Sequence, residues 1–156
     1  MSSLYLNASE QQLLSALTTG GVRYAILGGH AVQHYGHLRT AKDLDILVLP
    51  TIDNAQRAGT ALRSLMPPVV LSAEQINRLS KSNVQMRING IYNTEVLTTA
   101  TGIDTPMAIA SAKVVFDGAV STWVLSLTDL LTNKRELGRP VDLEDVEALT
   151  NASGVG

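Results

Sequence analysis

A mixed β-sheet flanked by helices, an α/β (α+β) domain, is the fold that this sequence predicts, and three features carry the expectation. Residues 22–27 form a β-type run that stops at Gly28-Gly29 and opens into a helix, which makes one α/β unit. Residues 44–49 are apolar on both faces beyond the carboxylate of Asp45, as a central strand covered on both sides must be. Asn89-Gly90 and Asp117-Gly118 each separate two β-type runs and read as hairpin turns.

Taken in order, the chain opens with a short helix in which Ser9 caps and Gln12 closes a capping box, with Leu13, Leu14 and Leu17 as its apolar stripe. Thr18-Thr19-Gly20-Gly21 ends it. The strand at 22–27 leads into a helix over residues 30–35, and the strand at 44–49 is closed by Pro50. A helix over 53–66 starts from Asp53 or Asn54 and puts Ala55, Ala58, Leu62 and Met66 on one side. Pro67-Pro68 forces an extended passage. A Ser72-x-x-Gln75 box begins the next helix at Ala73–Leu79. Strands are expected at 84–88 and 91–97, a loop at 99–106, and a second hairpin at 113–125. A helix over 126–137 carries a Ser-x-x-Asp box and stops at Gly138, and a last helix covers 141–149. Residues 1–149 therefore read as one domain and 150–156 as a flexible tail.

Composition bounds the chemistry. A chain of 156 residues with 45% apolar residues can bury a sufficient core without disulfide or structural metal. The absence of cysteine removes thiol nucleophiles, iron–sulfur clusters and cysteine-ligated zinc. Twelve basic residues against 14 acidic ones give a formal charge of −2, which argues against bulk, sequence-independent binding of nucleic acid but leaves specific contact with RNA open. Only 4% of residues are aromatic, so the core must be built from Leu, Val, Ile and Ala, and stacking platforms are scarce. Residues 1–10 do not read as a secretory signal, and no apolar run approaches the length of a membrane span. The expected location is the cytoplasm, with no membrane partner.

The most informative stretch runs from Gly28 to Asp45. Asp43 and Asp45, at i and i+2 on a strand, send both carboxylates to one face with Cα atoms about 7 Å apart. Such a pair, with a substrate triphosphate, supplies the oxygen ligands that one or two Mg²⁺ ions need. Gly28-Gly29 sits at a strand-to-helix junction, where backbone N–H groups can receive phosphate oxygens. Arg39 and Lys42 add charge at the same mouth. An Asp-x-Asp pair is common, and Gly-Gly after a strand usually only turns the chain. Their succession on adjacent elements is the specific signal.

Lys134 lies on the apolar stripe of Leu127, Leu130 and Leu131, so it must snorkel, pair with an acid or face a cleft; a cleft holding phosphate explains it best. Arg139 either steers a triphosphate or lies in solvent, and Asp142 sits where a residue could cap the last helix. His30, His34 and His37 recur at i, i+4 and i+7, a spacing that suggests zinc but lacks the general-base Glu and a fourth ligand. A packing role is the better expectation, with His30 close to the phosphates.

Gly28-Gly29, thirteen intervening residues and Asp43-Leu44-Asp45 resemble the signature of the DNA polymerase β-type nucleotidyltransferase superfamily. The form Gly-Gly-x-Ala, Arg39-x-x-x-Asp43-Leu44-Asp45 is similar to that of the AbiEii-like small nucleotidyltransferases of bacterial toxin–antitoxin systems. The tail, from Asp129-Leu130 through Lys134, Gly138-Arg139, Asp142 and Asp145, resembles that group's closing segment, so the likeness extends from Val22 to Leu149. It implies a minimal nucleotidyltransferase fold in which Asp43 and Asp45 bind catalytic Mg²⁺, two ions in all. Gly28 and Gly29 would cradle the triphosphate, with His30, Arg39, Lys134 and Arg139 around the nucleotide. Lys134 and Asp142 would complete the site. Two departures stand out. Gly29 replaces the usual Ser, and the usual third carboxylate can only be Glu95, which is either a metal ligand or an ordinary strand-surface acid.

The implied activity is Mg²⁺-dependent transfer of a nucleoside monophosphate from an NTP to an acceptor hydroxyl on an RNA or tRNA end, a protein or a small molecule. A cognate antitoxin or toxin would be its partner. The alternative is a catalytically weakened module, antitoxin or regulatory, that binds a nucleotide or a partner; more distant are a histidine metal-binding regulator and an accessory subunit that self-associates through apolar surface.

Overall fold

Why the chain starts its first helix where it does illustrates how local chemistry chooses among near-equal caps. In the computed structural model, which describes residues 4–116 and 120–154, α1 (Ala8–Thr19) begins at Asn7 rather than Ser9. The Asn7 side chain accepts from the Glu10 N–H at 2.8 Å, and the Glu10 carboxylate accepts from the Asn7 N–H at 2.9 Å. A carboxylate at that position also complements the helix dipole, which Gln12 would not do.

β1 (Tyr24–Leu27) runs directly into α2 (Gly28–His34), which Gly36 stops at φ 115. β2 (Leu44–Val48) follows, then α3 (Ile52–Arg63), capped by Thr51 and not by Asp53 or Asn54. Asn54 is released for another task. Buried at 1% exposure, it accepts from the Arg23 N–H at 2.7 Å and donates to the carbonyls of Arg23 and Leu49, tying α3 to the one end of the antiparallel pair where β1 begins and β2 stops. α4 (Ala73–Leu79) has the expected Ser72–Gln75 box, with both reciprocal bonds present.

β3 (Gln85–Ile88) and β4 (Thr94–Leu97) pair as an antiparallel hairpin, but residues 89–93 join them, a wider connection than a two-residue Asn-Gly turn. The stretch expected as loop contains α5 (Thr105–Ala110), whose cap is Asp104, accepting from the Met107 N–H at 3.0 Å. Pro106 is tolerated there because a first-turn residue needs no N–H partner. β5 (Lys113–Phe116) and β6 (Ser121–Val124) form the second antiparallel hairpin; its Asp117-Gly118 turn lies outside the described residues. α6 (Leu127–Leu137) is capped by Ser126 and ended by a left-handed Gly138, and α7 (Pro140–Ser153) continues into the stretch expected as a tail.

The six strands form one mixed sheet in the order β3-β4-β2-β1-β6-β5, flanked by helices. β2 lies antiparallel to β1 and parallel to β4, while β1 and β6 are parallel. All four residues of β1 are buried, as are Leu44, Ile46, Leu47 and Val48 of β2, so the centre of the sheet is covered on both faces. Leu13, Leu14, Leu17, Leu130 and Leu149 complete an aliphatic core in which Tyr24 and Tyr92 are the buried aromatics. The single Phe and single Trp, Phe116 and Trp123, are instead exposed on the β5–β6 hairpin. Among the described residues no helix is long and apolar enough to cross a membrane.

Asn54→Ala removes three hydrogen bonds from a buried amide and leaves the strand ends without their clip. It is expected to lower unfolding free energy by about 2 kcal/mol, read as a shifted urea midpoint with an unchanged slope.

Candidate functional site

Sheet register brings the carboxylates together. The parallel pairing of β2 and β4 sets Asp45 beside Glu95, and the antiparallel pairing of β1 and β2 sets Asp45 beside Leu27, the last residue before α2. Asp43 lies one step before β2 rather than within a strand, yet its carboxylate shares the same cleft. Asn93 is what holds it. At φ 43, in the left-handed region that Asn tolerates, Asn93 donates from Nδ2 to the Lys42 carbonyl at 2.9 Å and to Asp43 Oδ1 at 3.0 Å. Its backbone carbonyl accepts from the Leu44 N–H at 3.2 Å.

Arg87, opposite Glu95 on β3, donates to Asp43 at 3.1 and 3.4 Å, stands 3.8 Å from Glu95 and also donates to Asn93 Oδ1. Its guanidinium holds the Asp43 carboxyl below the ordinary value. Asp45 goes the other way. Burial first, then the charges of Asp43 and Glu95, push it up to about 6, against a smaller pull from His30 and Lys134. Among the described residues no donor reaches its carboxylate.

The floor of the cleft is the start of α2. Gly28 has φ +69, and a Cβ there would collide with the Asp45 carboxylate; a Cβ on Gly29 would come within 2.8 Å of the Ala41 side chain. Leu27 at the N-cap offers no side-chain acceptor, so the first turn of α2 is without a cap beside the carboxylates.

A wall of cations faces the carboxylates. Lys134 lies 3.2 Å from Asp142 and 3.1 Å from Asp145, Arg39 grips Asp145 through Nε at 2.8 Å and Nη2 at 2.9 Å, and Arg139 reaches Asp142 at 2.6 and 3.1 Å. Both aspartates are 0% exposed. Burial pushes each upward, but Arg139 and Lys134 at Asp142, and Arg39 and Lys134 at Asp145, outweigh it and hold both below the ordinary value. Lys134 thus pairs with acids and faces a cleft at once.

The cleft has a volume of about 670 Å³, and Gly28, Gly29, Arg39, Lys42, Asp43, Asp45, Glu95, Lys134 and Arg139 all line it. A larger groove of about 1130 Å³ between α1 and α3 contains none of the predicted site residues, which gather instead at the smaller cavity. Asp142 stands behind the lining, supporting Lys134 and Arg139. His30 lies outside the lining, buried and 3.4 Å from Glu10 of α1. The three histidines do not share a face, because α2 ends at His34: His37 meets Asp145 at 3.1 Å, and His34 packs edge-on against Tyr35.

Sequence reasoning passed over Asp145, Arg87 and Asn93 as site residues. A signal existed only for Asp145, which lies in the tail segment that carries the resemblance.

Among the described residues no three His, Asp or Glu side chains stand close enough to hold an ion unaided. Magnesium does not require that. It is commonly held by one or two carboxylates, with water and substrate phosphates filling the rest. The undonated Asp45 carboxylate, its pKa raised by burial and then by two neighbouring acids, is the uncompensated charge that such an ion would neutralise, and the residues fit it. Compared with protein-family models and with curated proteins, the chain matches none.

Two predictions follow from these charges. Because the folded value of Asp45, about 6, exceeds its ordinary 3.8, the folded state holds the proton more tightly, and stability from this group is lost as pH rises through 6. Metal-free Asp45→Asn should therefore be more stable than the parent at pH 8 by about 1 to 2 kcal/mol, after allowance for solvent screening. The gain should vanish near pH 4 in urea titrations. Lys134→Met leaves two buried carboxylates short of a partner and should cost about 3 kcal/mol at pH 7, measured the same way.

Proposed function

We propose that the chain is a Mg²⁺-dependent nucleotidyltransferase that moves a nucleoside monophosphate from an NTP to an acceptor hydroxyl. The observation that carries this reading is the Asp45–Glu95 register across β2 and β4. It sets two carboxylates side by side, and with Asp43, which Asn93 holds next to them, they form one wall of a cleft whose floor is a glycine turn and whose other wall is cationic.

Asp43, Asp45 and Glu95 would offer oxygens to the metal, one or two of them at a time with water and the substrate's phosphates completing its shell, and it would supply charge neutralisation at the entering oxygen and at the departing pyrophosphate. Gly28 and Gly29 let the triphosphate approach the backbone of α2. Lys134, Arg39 and Arg139 balance its charge, and Lys42, which forms no ion pair among the described residues, adds to the rim. The acceptor hydroxyl forms a P–O bond to the α-phosphate as the bond to pyrophosphate breaks, and its proton passes to Asp45 or Glu95. The acceptor is an RNA or tRNA end, a protein or a small molecule in the cytoplasm, and the resemblance adds a toxin–antitoxin partner.

One observation favours a second reading, a nucleotide- or partner-binding module without turnover. Arg87 spans Asp43 and Glu95, where a catalytic metal would sit.

Incubation with Mg²⁺ and each labelled NTP, with total tRNA or cell extract, should label an acceptor and release pyrophosphate. The Asp43→Asn/Asp45→Asn double variant should reduce release by about a thousandfold or more. Equal release from parent and variant defeats the transferase reading. A rise in melting temperature with Mg²⁺·NTP but no labelled product selects the binding module.

A further inference from the structure

Arg87 is not part of the site that the sequence suggested, yet among the described residues it is the cation that forms ion pairs with Asp43 and Glu95. It belongs to β3, the outermost strand on that side of the sheet, where it shares a face with Gln85, a residue of the cleft lining, and reaches the carboxylates from the rim. Its guanidinium serves both oxygens of Asp43, approaches Glu95 and is steadied by Asn93. Asp45 it does not touch. One positive charge therefore stands among three negative ones, and it engages two of them, Asp43 and Glu95, whose oxygens a divalent ion would also use.

A guanidinium and a divalent cation repel each other, and neither can share the Asp43 oxygens at full strength. The side chain is 38% exposed, so it can swing away without crossing packed core. We propose that Arg87 is the resident counter-ion of this carboxylate cluster and competes with the divalent cation for Asp43 and Glu95. Metal uptake then requires the guanidinium to leave. The inference rests on the metal-binding role given to these carboxylates above, and it makes Arg87 a residue that sets the concentration at which the site fills.

The competing explanation is that Arg87 merely props Asp43 in place, and the two differ in sign. A prop, once removed, loosens the site and weakens metal binding. A competitor, once removed, strengthens it. Mn²⁺ alone, without nucleotide, is the probe, with free ion followed by electron paramagnetic resonance. Arg87→Gln is expected to bind Mn²⁺ about fivefold more tightly than the parent. Arg87→Lys, which keeps the charge but loses the two-pronged grip on Asp43, should fall between them, and added salt should narrow the gap.

In the unaltered protein, Mg²⁺ should shift the Arg87 Nε–Hε nuclear magnetic resonance signal away from its ion-paired position. Equal or weaker Mn²⁺ binding by Arg87→Gln overturns the inference while leaving the metal site standing. Absence of binding in the parent and both variants overturns the metal site and the inference together.

Discussion

Asp142 and Asp145 have no exposed surface, and a carboxylate without water is tolerable only when cations and donors surround it. That requirement organises one side of the molecule. Lys134 from α6 lies between the two aspartates of α7, while Arg39 from the loop after α2 and Arg139 from the α6–α7 turn complete them. Three separate parts of the chain are thereby fixed to one another by charge where apolar packing would leave them free to slide. The Arg39 guanidinium ends close to Gly29, where a Cβ would lie 3.5 Å from it, and the cationic wall and the glycine floor become one piece.

The opposite wall is built on a contrary principle. Asp45 sits on a central strand, half-buried, beside two other acids and without a donor, an arrangement that costs stability at neutral pH. Exchanging an acid for an amide would relieve such a site. Here the surrounding structure reinforces it instead: Gly28 gives up its side chain so that the Asp45 carboxylate can lie against the backbone, and Asn93 accepts a left-handed conformation to hold Asp43. Local compromises at three adjacent positions, all in favour of one cluster of charge, support reading the cluster as a working site.

What could be read from the sequence divides along the range of the interactions. The passage from β1 through Gly28-Gly29 into α2, the Ser72 box and the Ser126 to Gly138 limits of α6 are local, and each was visible in neighbouring residues. Lys134 was legible for a different reason: a lysine on an apolar stripe has few acceptable surroundings, and pairing at a cleft wall is among them. Glu95 was legible only as a choice between metal ligand and strand-surface acid, because its place depends on which strand lies beside β2 and in what register. Arg87 looks in sequence like any outward residue of an edge strand. Asp145 lay in the tail segment of the resemblance, but its pairing with Arg39 appears only once α7 docks beside the loop after α2. Six-residue α5 is too short to show periodicity, and Asn7 and Ser9 are caps that the sequence alone could not separate.

The charge of the whole chain, −2, is therefore a poor guide to what a ligand meets. On one wall, three cations against two aspartates leave a single positive charge, with Lys42 as a second at the rim; on the other, three carboxylates against Arg87 leave two negative charges. The two walls nearly cancel in sum but are separated in space. A bare polyanion gains at one wall and is repelled at the other, and a bare divalent cation meets the reverse. A polyanion that arrives carrying its own divalent cation is matched at both, because the field of closely placed fixed charges, and not the net charge, selects the ligand. On the proposed reading magnesium–nucleotide is such a ligand: its metal would face Asp43, Asp45 and Glu95, and its remaining phosphate oxygens would face Lys134 and the arginines.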